Sequence, residues 1–117
     1  MLDLEQIRDY CLNKKLTDEA MPFGDGVLVF KVAGKMFLLV SLDSDPMTIN
    51  AKCDPEKAIE LREEYSSITP GYHMNKKMWN TITIDGSLPL TKIYELINHS
   101  YLEVVKGMSK KLQDQLV

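Results

Sequence analysis

The sequence predicts one α+β domain, an antiparallel sheet with helices packed on it. Three observations carry that expectation. Two runs rich in β-formers, Val27 to Val32 and Lys35 to Leu42, are joined by the two residues Ala33-Gly34, the spacing of a tight hairpin. Two later segments, Met47 to Cys53 and Trp79 to Ile84, alternate apolar and polar residues as half-buried strands do. Apolar residues at helical spacing flank and separate these strands, so helices must cover the sheet.

Element by element, Leu4, Ile7 and Cys11 define an amphipathic helix over about residues 3–15. Met21-Pro22-Phe23-Gly24-Asp25-Gly26 ends that pattern with turn residues. The two hairpin runs are apolar on both faces, which predicts central strands. Asp43-Ser44-Asp45-Pro46 reads as a loop before the strand ending at Cys53. Asp54-Pro55-Glu56 is a helix start: a capping carboxylate, a proline suited to the first helical position, and an acid at the positive end of the dipole. That helix should run to about Tyr65, burying Ala58, Leu61 and Tyr65. Ser66 to Gly71 is expected to be a loop. Asp85-Gly86-Ser87-Leu88-Pro89 turns into a last helix with Leu90, Ile93, Ile97, Tyr101, Val104 and Met108 on one stripe.

The 117 residues suffice for a single domain with its own core, taken as residues 1–117. Hydrophobic residues make up 44% and charged residues 26%, ordinary for a globular protein. No apolar run is long enough to span a bilayer. The start, Met-Leu-Asp-Leu-Glu-Gln, lacks the basic-then-apolar order of a signal peptide, which points to the cytoplasm. Cys11 and Cys53 are too few for a metal motif and are expected as buried, reduced thiols. The net charge of −3 speaks mildly against nucleic acid, but the distribution of charge decides, not its sum.

One stretch differs from the rest. Between Ser66 and Ile84 there is no acidic residue, while Lys76 and Lys77 add positive charge. Tyr72, His73 and Trp79 offer flat rings, and Asn75, Asn80 and Thr81 offer hydrogen-bonding groups. Basic charge interleaved with aromatics and amides suits a surface that meets phosphates and bases. The bland reading is that Trp79 is core, Tyr72 braces the Pro70-Gly71 turn, and the lysines are merely solvated.

The run PGYHMNKK, then Trp79-Asn80-Thr81, then DGSLP and Asn98-His99-Ser100-Tyr101, resembles the MmcQ/YjbR family. Upstream, PFG at residues 22–24, LVFKVAGKMFLLVSLD at 28–43 and INAKCDPE at 49–56 fit the same pattern in order. The resemblance spans roughly residues 1–108. One departure is visible: Met78 stands where that family is expected to carry a polar residue, often His. The resemblance implies a frataxin-like (CyaY-like) fold with a double-wing arrangement, and a DNA-binding role. It supplies no catalytic residues.

The resulting expectation is a non-enzymatic, monomeric DNA-binding module. Its contacts would come from the loop at residues 70–81 and from the hairpin at 27–42. Lys35, Lys76 and Lys77 would meet phosphates, His73, Asn75 and Asn80 would hydrogen-bond, Tyr72 would stack, and Trp79 would anchor the loop. The alternative is an adaptor for another protein, or a small-anion-binding domain, without DNA as partner. No metal and no cofactor are expected: Glu95, His99 and Glu103 fall at i, i+4, i+8, yet such a stripe more often forms helical ion pairs than a metal site.

Overall fold

A computed structural model of the chain describes residues 2–71 and 74–116. Helix α1 (Leu4–Leu12) opens on a capping box: Asp3 accepts from the Gln6 N–H, and the Gln6 side chain accepts from the Asp3 N–H. Strand β1 (Thr17–Ala20) follows, then β2 (Val27–Val32), β3 (Lys35–Ser41) and β4 (Thr48–Lys52). Helix α2 (Pro55–Glu64) leads into β5 (Ile68–Pro70) and β6 (Trp79–Thr83). The chain ends with the long helix α3 (Leu90–Lys106) and the short α4 (Lys110–Leu116).

The six strands form one antiparallel sheet in the order β1-β2-β3-β4-β6-β5. The hairpin expected around Ala33-Gly34 is present, and both turn residues have positive φ, 48° and 84°. This is the conformation that lets a two-residue loop follow the strand twist. Leu28, Phe30 and Val40 are buried, as the β-rich pattern implies. Three elements were not anticipated. β1 and β5 are short and polar, and their strand state comes from pairing with β2 and β6. α3 stops at Lys106, so Met108, expected on its stripe, lies in the turn that leads into the unanticipated α4.

Helix α3 crosses β2, β3 and β4 on one face of the sheet, with α1 beside β1 and α2 beside β5. A register slip in the β2–β3 ladder turns both Phe37 and Leu38 toward this helical layer, where both are fully buried. Phe37 meets Tyr101 of α3 edge-on, with ring centroids 5.4 Å apart. The Ser100 hydroxyl of α3 donates to the Phe37 carbonyl and accepts from the Lys52 N–H at 2.7 Å. One buried side chain thus satisfies backbone groups on two strands and fixes the helix over them.

Among the described residues, no helix packs on the opposite face of the sheet. Alternation places Val29, Leu39, Asn50 and Thr81 on it, with Lys31, Met36, Lys52 and Trp79 toward one end and Val27, Ser41, Thr48 and Thr83 toward the other.

Candidate nucleic-acid interface

The basic loop before β6 is held by α2. The Arg62 guanidinium donates to the Lys76 carbonyl, to the Trp79 carbonyl at 3.3 Å, and through Nε to Asn80 Oδ1 at 2.6 Å. Asn75 makes the turn itself: its carbonyl accepts from Met78 and Trp79, and its Oδ1 accepts from the Lys77 N–H at 3.0 Å. The Gly71 N–H closes the loop onto the Trp79 carbonyl at 2.8 Å. A Cβ on Gly71 would lie 2.8 Å from both the Cβ and the carbonyl oxygen of Trp79, so only glycine permits this approach. Lys76 and Lys77 are exposed at the tip.

Two expected contact residues sit differently from their anticipated places. Asn80 is only 2% exposed; it faces the helical layer, binds Arg62 and donates to the Ala58 carbonyl at 3.5 Å. It is a structural link beneath the loop, because strand alternation turns it inward while Trp79 and Thr81 face the open side. Asn75 is exposed, but its oxygen atoms are used by the turn, which leaves its amide N–H groups. Trp79 is half-buried on the open face, beside Lys52 of β4. Tyr72 and His73 lie outside the described residues.

The antiparallel order brings these features to one end of the sheet. The β2–β3 hairpin, the β4–α2 connection and the loop before β6 all lie there. The Ala33 N–H donates to Leu16 at 2.9 Å, adding the α1–β1 connection, and the Cys53 N–H donates to Met78 at 2.7 Å. A cleft of about 270 Å³ lined by Lys35, Met36, Lys52, Val104, Gly107 and Met108 brings the end of α3 to the same place. These segments contain eleven of the fourteen Lys and Arg residues: Lys14, Lys15, Lys31, Lys35, Lys52, Lys57, Lys76, Lys77, Lys106, Lys110 and Lys111. Their own acids are Asp54 and Glu56, with Asp18 opposite Lys31 in the β1–β2 ladder and Glu103 paired to Lys106. At the other end, the Leu42 N–H donates to Gly26 and the Ile84 N–H donates to Met47, each at 2.8 Å, gathering the loops at 21–26, 42–47 and 84–89. Those loops carry Asp25, Asp43, Asp45 and Asp85 and no cation.

Little of the lysine end is neutralised internally. Among the described residues, ion pairs engage Arg8, Lys92 and Lys106 only. Lys14 is held inside: its Nζ donates to Asn98 Oδ1 at 2.6 Å and lies over the Tyr10 and Tyr101 rings, and burial lowers its pKa. The sequence pointed to Lys35, Lys76 and Lys77, and to Lys31 as part of the hairpin, but not to Lys52 or the lysines of the α3–α4 turn. The alternation Thr48-Asn50-Lys52 already held Lys52 on a defined face, but its proximity to the loop depends on the β4–β6 pairing. Arg62, the tether, carried no sequence signal beyond its helix.

Other constellations are taken up by structure. Among the described residues no group of three or more His, Cys, Asp or Glu side chains converges on a metal-sized site. Glu95 pairs with Lys92, Glu103 with Lys106, and His99 Nε2 accepts from the Asp54 N–H at 3.2 Å. Burial pushes the Cys11 thiol up to about 12 and the Cys53 thiol up to about 11, which disfavours the reactive thiolate. Among the described residues no helix is long and apolar enough to cross a membrane.

The comparison that decides the family is a match of the YjbR model to residues 12–103. The chain belongs to the YjbR family. It is 36% identical over 112 residues to the uncharacterized protein YbdF of Escherichia coli O157:H7, covering 96% of this chain and 92% of that protein. It is 28% identical over 116 residues to the uncharacterized protein YjbR of Escherichia coli K12, covering 99% and 98%. The crystal structure of Deinococcus radiodurans protein DR2400, a DUF419 domain, superposes with a TM-score of 0.93 at 39% identity, over 99% of this chain and 88% of that one. The Deinococcus radiodurans structure shares the α+β fold described above.

Proposed function

We propose that this YjbR-family chain is a DNA-binding module, not an enzyme, and that it docks on the duplex through the lysine end of its sheet. The observation that carries this reading is the segregation of charge. Eleven of fourteen cationic residues lie at one end, and the loops at the other end carry aspartates alone. A net charge of −3 is no obstacle, because an approaching polyanion responds to the local field within a Debye length of about 8–10 Å. In the frataxin-like, double-wing reading of the fold, the β2–β3 hairpin is one wing and the loop of residues 74–79 the other. Lys35 on the first and Lys76 and Lys77 on the second would flank the phosphates, with Lys31 and Lys52 between them. Phosphate contacts of this kind set position and register and carry no sequence information.

The test is binding of the purified protein to duplex DNA at several salt concentrations. A Coulombic interface gives log affinity falling linearly with log salt, by about 0.9 per phosphate neutralised. A slope between about −2.7 and −5.4 is expected for three to six contacts. No duplex binding by folded protein at about 50 mM salt would reject the proposal. It would leave an adaptor or small-anion role in its place.

A further inference from the structure

The helix-free face of the sheet holds a groove of about 330 Å³ that the lysine end does not explain. Val27, Leu39, Ser41, Thr48, Asn50 and Thr81 line it from the sheet, with Phe23 and Met74 beside them, so it runs from the middle of the sheet toward the aspartate end. Phe23 is 61% exposed, a large ring left in water at the groove's edge. It is presented there by the turn at Gly24, whose φ of 98° favours glycine and whose N–H donates to Met21. The floor is not purely apolar. Thr81 Oγ1 donates to Asn50 Oδ1 at 2.6 Å, which fixes the Asn50 amide and leaves its N–H donors without a partner among the described residues.

We propose that this groove takes one unpaired base of a nucleic-acid strand, stacked on Phe23 and hydrogen-bonded by the Asn50 amide, with its phosphate at Lys52 and Lys31. The inference rests on the reading of the lysine end as a nucleic-acid surface and extends it along the open face to a ligand subsite. Three features converge on this occupant. A flat heteroaromatic ring is the ligand that an exposed phenyl wall and a fixed amide donor both serve, since every base has a π-face and an acceptor edge. The anion site lies at a fitting distance: Lys52 follows Asn50 by two residues on the same strand face, about 7 Å along the strand. Lys31 and Trp79 extend that row on the same face. Duplex bases, stacked and paired, could not enter, so the subsite selects single-stranded or locally opened nucleic acid.

The experiment measures affinity for a short labelled single strand, for the matching duplex and for a free deoxymononucleotide. Wild type and Phe23→Ala, Phe23→Trp, Asn50→Asp and Lys52→Ala variants are compared. Phe23→Ala should weaken single-strand binding roughly tenfold or more, with an unchanged salt slope, because stacking is lost and no charge is removed. Phe23→Trp should restore it, and duplex affinity should not respond to either change. Asn50→Asp keeps an acceptor for Thr81 but replaces the donor with a negative charge, and should also weaken the single strand. Lys52→Ala should flatten its salt slope by about 0.7. A wild type that binds duplex but not single strand, or single-strand binding that ignores Phe23→Ala, would overturn the groove and leave the duplex reading standing. Phe23-dependent single-strand binding without duplex binding would support the groove and sink duplex docking alone. A mononucleotide that binds as tightly as the strand would overturn the strand as the source of the base.

Discussion

The two ends of the sheet solve the same topological problem with different materials. At the aspartate end, three loops are drawn together by backbone hydrogen bonds, Leu42 to Gly26 and Ile84 to Met47. At the lysine end, backbone bonds such as Gly71 to Trp79 and Cys53 to Met78 are joined by a side-chain tether, the Arg62 guanidinium on two carbonyls and Asn80. Like charges repel, so a surface that gathers lysines must be fastened by something other than its own residues. The difference teaches where specific side chains matter. The aspartates of the one end should tolerate substitution, and the lysine end should depend on a few residues that never touch a ligand.

Trp79→Ala is expected to be the most damaging change at the lysine end. Removal of a large buried ring costs about 3–5 kcal/mol, and a half-buried one should fall near the lower limit, about 3 kcal/mol. Urea denaturation measures this directly. Near-wild-type stability would mean that the ring contributes little to the fold and is available to a ligand, which would blur the distinction between fastener and contact. Arg62→Ala comes next. It strands the buried Asn80 amide oxygen and frees two carbonyls, a loss of about 1–3 kcal/mol for a buried group left unpaired. It should also weaken DNA binding without removing a phosphate contact, visible as reduced affinity with little change in salt slope. A proportional loss of slope would instead make Arg62 a direct contact.

Lys76→Ala with Lys77→Ala tests the contacts themselves. The salt slope of duplex binding should flatten by about two units, with melting unchanged. The matched experiment at the far end, Asp43→Asn with Asp45→Asn, should leave affinity within about twofold at physiological salt. Strands of five to seven residues, at about 3.4 Å each, set the two ends about 17–24 Å apart, two or more Debye lengths at physiological salt, so the distant charges are largely screened. Equal responses at the two ends would show that net charge, not its placement, drives binding.

The comparison also explains what the sequence could disclose. The core strands were legible because their apolar patterns and the Ala33-Gly34 turn are local signals. β1 and β5 were not, because Thr-Asp-Glu-Ala and Ile-Thr-Pro have no strand pattern of their own and acquire one only by pairing. The basic loop stood out as an acid-free stretch, and Lys76 and Lys77 are exposed there as expected. Asn80 was misplaced although the alternation Trp79-Asn80-Thr81 was in view; which face is open depends on where α3 lies. The clustering of Lys31, Lys35, Lys52 and Lys106 with that loop depends on strand order, which no local pattern encodes.

The smallest expected effect concerns pH, and it too should separate the two ends. His99 stands behind the lysine end, where its Nε2 accepts from the Asp54 N–H that leads into α2. An imidazolium carries a proton on that nitrogen and would set two donors against each other. Burial lowers the His99 pKa first, with Lys57 and Lys106 adding to the shift, and Glu103 and Asp54 opposing it. The unfolded chain therefore takes up its proton near pH 6.5, and the folded chain only at lower pH. Between those values the unfolded state binds more protons, so stability is fully present above pH 6.5 and is lost as pH falls through the folded value. The loss must stay below the limit of about 1.4 kcal/mol per pH unit for a single proton. Glu19 and Asp85, whose pKa values are lowered by Arg8 and Ser87, lose their contributions only in more acidic solution, so the two windows separate. His99→Gln keeps an acceptor for Asp54 and cannot titrate. Its stability should fall less than that of wild type between pH 7.5 and pH 5.5, about one unit either side of the histidine reference value. Hydrogen exchange should place the wild-type loss at the β4–α2 connection and not in the aspartate loops. An identical decline in both proteins would show that the His99–Asp54 bond does not set the stability of the lysine end.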